Sequence, residues 1–244
     1  MSRYDNFPQD YEKYRVEYPN EFIDFLKYEF KINKTKICCD LGCGTGKFAK
    51  RILPFLKQLE GIDISQGMLE IASRVGTKFK PIHYDANKFL KESSYDTIFI
   101  SHSFHWMDYE RVLKNCAKSL KKSGKIAIFW NNSLSRNENY YIKIQSLIRK
   151  YHSKPISEHR GLNTLNILEQ SGLFKNLNFK KFEFEIKYTV DEYLGLLKSK
   201  SYVSDDIPKE FHDDFFKNAK QILLEEGDII IETFVTEIYY GDKN

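Results

Sequence analysis

Five short, nearly continuous apolar runs constrain what this chain can fold into. KICCDL, LEGIDI, FKPIHYD, YDTIFIS and GKIAIFW each read as a strand buried on both faces. Between them lie GKFAKRILPFLKQ, QGMLEIASRVG and DYERVLKNCAKSLKKSG, which carry apolar residues at helical spacing. Strands alternating with helices form a parallel sheet through right-handed crossovers. The expected class is α/β, a doubly wound Rossmann-like sheet. Aromatics at positions 7, 11, 14 and 18 predict a helix from Phe7 to Tyr18, stopped by Pro19. Asn20 is the expected cap of a second helix bearing Phe22, Phe25, Leu26 and Phe30. Beyond Trp130, helices are expected near 139–151, 163–170, 191–200 and 208–226, with FKKFEFEIKY and DIIIETFVTEIYY as late strands. No repeat or linker interrupts the chain. One domain over residues 1–244 is expected, with an N-terminal helical lid (1–33), a sheet core (34–132) and a cap (133–244).

Composition narrows the class further. At 41% hydrophobic and a formal charge of +4 over 244 residues, the chain can bury a sizeable core. Its charge is too balanced to argue for nucleic acid. No apolar run approaches the ~20 residues that span a bilayer, and the polar start is unlike a signal peptide. Cys38, Cys39, Cys43 and Cys116 form no CxxC pair and have no histidines at zinc-finger spacing, so buried thiols in a reducing, cytoplasmic setting are expected, with no metal. Nine of the aromatics fall in the first 30 residues, which points to an aromatic lid.

The chemistry gathers at one edge of the expected sheet. In open α/β sheets, ligands bind beyond the carboxyl ends of the strands. The first strand ends in Asp40 and a glycine loop, Gly42-Cys43-Gly44-Thr45-Gly46, the second in Asp63 and the third in Asp85. Lys47 stands where a dinucleotide fingerprint would approach its third glycine, and Asp40 would repel a pyrophosphate. A carboxylate there favours a cationic ligand. Asp63 can accept from both hydroxyls of a ribose, and Asp85 from an exocyclic amine such as that of adenine. Cation, ribose and amine together describe S-adenosylmethionine. The plainer alternative is that the aspartates cap the helices that follow.

These residues resemble the class I S-adenosylmethionine-dependent methyltransferases (methyltransferase type 11). DLGCGTG looks like their first motif, GIDIS-x-x-ML like the second and YDA like the third. YDTIFISHSFHWMD resembles the fourth strand and its HW turn. The opening Tyr11-Glu-Lys-Tyr14-Arg15-Val16-Glu-Tyr18-Pro19 is similar to that of the small-molecule enzymes grouped with trans-aconitate methyltransferase, with Val16 replacing a proline. The resemblance implies a seven-stranded sheet whose last strand is antiparallel. It also implies cofactor contacts at Arg15, Gly42, Asp63, Ile64, Met68, Asp85 and Ala86; Tyr11, Asp40, Cys43, Gly44 and Ser101 are further candidate cofactor contacts.

Methyl transfer from a sulfonium asks mainly for alignment and exclusion of water. Tyr11, Tyr14 and Tyr18 can roof the site, with ring faces toward the cation, and Arg15 can reach the methionyl carboxylate. His105 is the candidate general base, and Tyr14, His105, Trp106, Trp130 and Arg160 are candidate acceptor contacts. The expected partner is a small molecule bearing a carboxylate or hydroxyl, with neither nucleic acid nor membrane. A methyltransferase acting on RNA or protein, an inactive cofactor-binding protein and, more remotely, a dehydrogenase stand as alternatives.

Overall fold

A computed structural model describes residues 7–152 and 163–244. The five apolar runs become β1 (Ile37–Leu41), β2 (Gln58–Asp63), β3 (Phe79–His83), β4 (Tyr95–Ser101) and β5 (Leu120–Ser133). They are joined by β6 (Phe174–Thr189) and β7 (Ile229–Lys243) in one seven-stranded sheet of order β3-β2-β1-β4-β5-β7-β6. Strands β1 to β5 pair in parallel, whereas β7 runs antiparallel to both β5 and β6. The last strand is thus antiparallel, as the resemblance implies. Chain order reverses between β1 and β4, which opens the crevice at their carboxyl ends.

Helices cover both faces and the carboxyl edge. They are α1 (Pro8–Tyr14), α2 (Asn20–Glu29), α3 (Lys47–Ile52), α4 (Gln66–Ala72), α5 (Tyr109–Ser119), α6 (Asn139–Tyr151), α7 (Thr164–Ser171), α8 (Val190–Lys198), α9 (Ser201–Ser204) and α10 (His212–Glu226). On one face, α2 and α3 press Phe22 and Phe48 onto Phe129, with centroids 5.0 and 4.9 Å apart. The other face packs Val112, Leu113 and Cys116 of α5 and Leu168 of α7 on Ile98, Ile100, Ile126 and Ile128. A third core binds α6, α8 and α10 to the projecting ends of β6 and β7 through Ile144, Tyr193, Leu196, Phe215, Ile230 and Phe234.

Three local expectations are corrected. The first helix ends at Tyr14 rather than Tyr18, because Arg15 turns the chain into extended conformation (ψ 136°). Tyr18 then drops onto Phe129 with centroids 5.1 Å apart, and so belongs to the core rather than to a roof. Phe22, Phe25 and Phe30 of the N-terminal aromatics also pack on the sheet, Tyr28 is exposed, and Tyr11 lies over the glycine loop. Asn20 does not cap α2 with its side chain; its oxygen accepts from the Arg51 guanidinium at 2.5 Å. The helix before β5 ends at Ser119, because Leu120 pairs with Tyr95 and folds back against Gly124. All four cysteines are buried free thiols.

Gly61 marks the tightest approach in the sheet core. A Cβ there would lie 2.3 Å from the Phe79 ring and 2.8 Å from the Cys43 sulfur. Gly61→Ala is therefore expected to overpack this point and cost about 1–3 kcal/mol. Urea unfolding monitored by circular dichroism checks the value.

Candidate active site

The glycine loop is where β1 gives way to α3. Gly42, Gly44 and Gly46 all take positive φ. At Gly42 (φ +74°) a Cβ would lie 2.4 Å from Cβ of Ser103, so the residue needs both the left-handed backbone and the missing side chain. Its N–H donates to the Ile62 carbonyl at 2.7 Å, as does that of Cys43 at 3.1 Å. The loop is thereby stitched to β2, and Ser103 Oγ donates to the Leu41 carbonyl at 2.7 Å from the other side.

Asp40 is fully buried at the end of β1, and neither carboxylate oxygen has a hydrogen-bond partner. Burial, and then the charge of Asp63, push its carboxyl pKa well above the usual carboxylate range. It caps no helix. Asp63 Oδ2 accepts from Gly44 N–H and Oδ1 from Ser65 N–H, both at 2.8 Å. The cap of α4 is Ser65, whose hydroxyl accepts from Met68 N–H at 3.3 Å. Met68 is buried behind it and Ile64 is 60% exposed at the crevice rim. Asp85 lies two residues past β3 and accepts from Asn87 N–H at 2.9 Å, with Ala86 beside it. The capping alternative thus fails for all three aspartates.

The roof is latched from several directions. Tyr11 lies over the loop, 3.9 Å from where a Gly44 Cβ would stand. Lys47 Nζ donates to the Glu12 carbonyl near the carboxyl end of α1 at 2.6 Å, a position where a cation is favoured. The residue that breaks the dinucleotide pattern therefore holds the lid. Tyr14 turns the other way and fills the space left by Gly195 on α8, where a Cβ would lie 2.4 Å from its ring. Asn131 Nδ2 donates to the Glu17 carbonyl at 3.3 Å, which fixes the extended segment to β5.

Arg15, behind Tyr11, hydrogen-bonds His102 Nε2. His102 sits just past β4 with φ +53°, and burial, followed by the positive charge of Arg15, pulls its pKa well below the usual range. It is a neutral acceptor for the guanidinium. Its position directly after a strand end is the one signal in the sequence that marks His102. His105 stands 6.0 Å from His102 and 4.9 Å from Trp106, ring centroid to centroid, on the turn that follows. Ser101 closes β4 opposite Phe129. Trp130 points to the face opposite Asn131 and packs on Tyr239 at 5.8 Å, so its surroundings are those of the core. Arg160 lies outside the described residues. Among the described residues no group of three or more His, Cys, Asp or Glu side chains could hold a metal ion, and no helix is long and apolar enough to cross a membrane.

The donor set fits S-adenosylmethionine. A buried carboxylate at Asp40 suits an ammonium, Asp63 stands as an acceptor beside the glycine loop, and that loop leaves room for close approach. Comparison with known proteins agrees. Residues 39–128 match the methyltransferase domain family. A methyltransferase-like protein of Schizosaccharomyces pombe is 28% identical over 223 residues, covering 87% of this chain and 84% of that one. A type II methyltransferase assigned in Anaeromyxobacter dehalogenans has the same fold, with a TM-score of 0.68 at 17% identity over 93% of this chain and 97% of that one. Phosphoethanolamine N-methyltransferase 2 of Haemonchus contortus, solved with S-adenosylmethionine, superposes with a TM-score of 0.56 at 18% identity, over 98% of this chain and 57% of that one. Residues 39–128 carry a methyltransferase domain, and the relatives found are methyltransferases, so the chain is an S-adenosylmethionine-dependent methyltransferase. Its cofactor is S-adenosylmethionine.

The raised pKa of Asp40 makes a stability prediction. The folded state holds this proton more tightly than the unfolded chain does, so stability falls as pH rises from the ordinary aspartate range toward the raised folded value. Above that range Asp40→Asn should stabilise the ligand-free protein by on the order of 1–3 kcal/mol and flatten this part of the pH profile. Thermal melts of both proteins across pH 4–9 check the sign.

Proposed function

We propose that this chain moves a methyl group from S-adenosylmethionine to a carboxylate or hydroxyl oxygen of a small molecule, in one domain whose lid and cap enclose the acceptor. The observation that carries the reading is the roof. Tyr11 covers Gly44 and Tyr14 locks into α8 at Gly195, so the crevice is covered by the chain's own helix. An acceptor small enough to lie beneath it is favoured over a polymer. The segment Tyr11–Pro19 also supports kinship with the enzymes grouped with trans-aconitate methyltransferase.

In this reading Asp40 takes the methionyl ammonium, Arg15 its carboxylate, Asp63 the ribose diol and Asp85 the adenine amine. Arg15 arrives already oriented by its bond to His102. Bound there, the cofactor would supply a methyl group carried on a sulfonium, a donor with a good leaving group for an acceptor oxygen. Tyr11 and Tyr14 exclude water there. A hydroxyl acceptor gives up its proton to His105; a carboxylate needs no base.

Asp63→Ala removes two charge-assisted bonds to a ribose, each worth roughly 1.5–3 kcal/mol. Calorimetry with S-adenosylhomocysteine should give saturable binding by the wild type, weakened at least tenfold in the variant. A wild type that binds no S-adenosylhomocysteine sinks the reading.

A further inference from the structure

Asp85 stands two residues past β3, whose last pair with β2 joins His83 to Asp63. Its carboxylate does not hang loose from the loop. Oδ1 accepts from the Asn87 backbone N–H and from Asn87 Nδ2, both at 2.9 Å. The Asp85 carbonyl accepts from Lys88 N–H at 2.9 Å and closes the turn. Both side-chain bonds fall on the same oxygen, and among the described residues no donor reaches Oδ2. A backbone N–H alone would let the carboxylate plane rotate. The amide adds a second donor from another direction, and supporting bonds of this kind fix where the remaining oxygen is presented.

Asn87 is itself held in place. Its Oδ1 accepts from Asp108 N–H at 2.7 Å, and its backbone carbonyl accepts from Asn115 Nδ2 at 3.1 Å. All four of its polar groups are thereby engaged. An N–H needs an acceptor and a carboxylate needs a donor, so only one of the two amide orientations satisfies both Asp108 and Asp85.

The partners on the far side belong to α5. Asp108 caps that helix, its Oδ1 accepting from Arg111 N–H at 3.1 Å, and Asn115 lies within it. The turn Phe104–Trp106, which carries His105, ends just before the cap. Asn87 thus anchors the loop after β3 to the element that follows β4, and Asp85 inherits that anchorage.

We propose that Asn87 is a positioning residue for the cofactor's base: it holds Asp85 so that Oδ2 meets the 6-amino group of adenine, and it thereby sets selectivity for that amine. The inference rests on the methyltransferase reading above and deepens it, since Asn87 acts through Asp85 and not on the cofactor itself.

Calorimetry on the full chain tests this by comparing S-adenosylhomocysteine with its 6-deamino analogue, in which hydrogen replaces the adenine amine. The wild type should prefer the amine by about tenfold or more, as expected for a hydrogen bond to a charged acceptor. Asp85→Ala should remove most of that preference. Asn87→Leu should cut it by about threefold or more and leave affinity for the deamino analogue within about twofold of wild type. Asn87→Asp has nearly the same shape, keeps an acceptor for Asp108 N–H and offers Asp85 no side-chain donor; it should lose the preference as well. In an Asp85→Ala background, Asn87→Leu should change the ratio no further, because residues acting through one contact do not add. An unchanged ratio in the two Asn87 variants, whether or not both ligands bind more weakly, assigns Asn87 to the loop's stability and overturns the proposal. A further fall of the ratio in the Asp85→Ala background also overturns it. So does a wild type that binds both ligands equally, which removes Asp85 from the amine. Failure of S-adenosylhomocysteine itself to bind is a separate result, and it refutes the methyltransferase reading instead.

Discussion

A carboxylate buried without a partner is expensive, and the crevice is organised around one. Asp40 ends β1 beside the point where strand order reverses. The loop's own donors are committed elsewhere: Gly44 N–H goes to Asp63, Gly42 and Cys43 N–H go to Ile62, and Ser103 goes to Leu41. A buried carboxylate so placed lowers the stability of the ligand-free protein and favours a cation that can occupy the site, a trade common where function needs preorganised charge.

The lid follows from the same arrangement. Arg15, at the end of the same short helix, sets its guanidinium over the Tyr11 ring, 5.7 Å from the centroid. Helix α1 has only two turns and little stability of its own. It stays in place through contacts distant in sequence: Lys47 on its carboxyl end, His102 on Arg15 and the bare backbone of Gly195 under Tyr14. Because Tyr14 touches the cap and Tyr11 covers the cofactor loop, α1 couples the two halves of the site physically.

The sheet was legible in the sequence because strands buried on both faces leave continuous apolar runs, and no helix of this chain imitates them. Asp40, Asp63 and Asp85 were legible for a related reason: a polar residue at the end of such a run has to face the strand's open edge. The end of α1 was not. Phe7, Tyr11, Tyr14 and Tyr18 have helical spacing, yet Tyr18 gains more from Phe129 and Phe22 than from continuing the helix. Gly195 and His102 were illegible as site features because their meaning lies in tertiary partners. His102 meets a residue 87 positions away, and Gly195 matters through the Tyr14 ring that lies on its bare backbone.

The central claim is that Asp40 is left unpaired for the ammonium of the cofactor. A crystal structure of the complex with S-adenosylhomocysteine tests it most directly. The account predicts the methionyl nitrogen within hydrogen-bonding distance of the Asp40 carboxylate, with the ribose on Asp63 and Tyr11 closed over both. A complex in which the ammonium points away from Asp40, with that carboxylate still buried and unpaired, would contradict it.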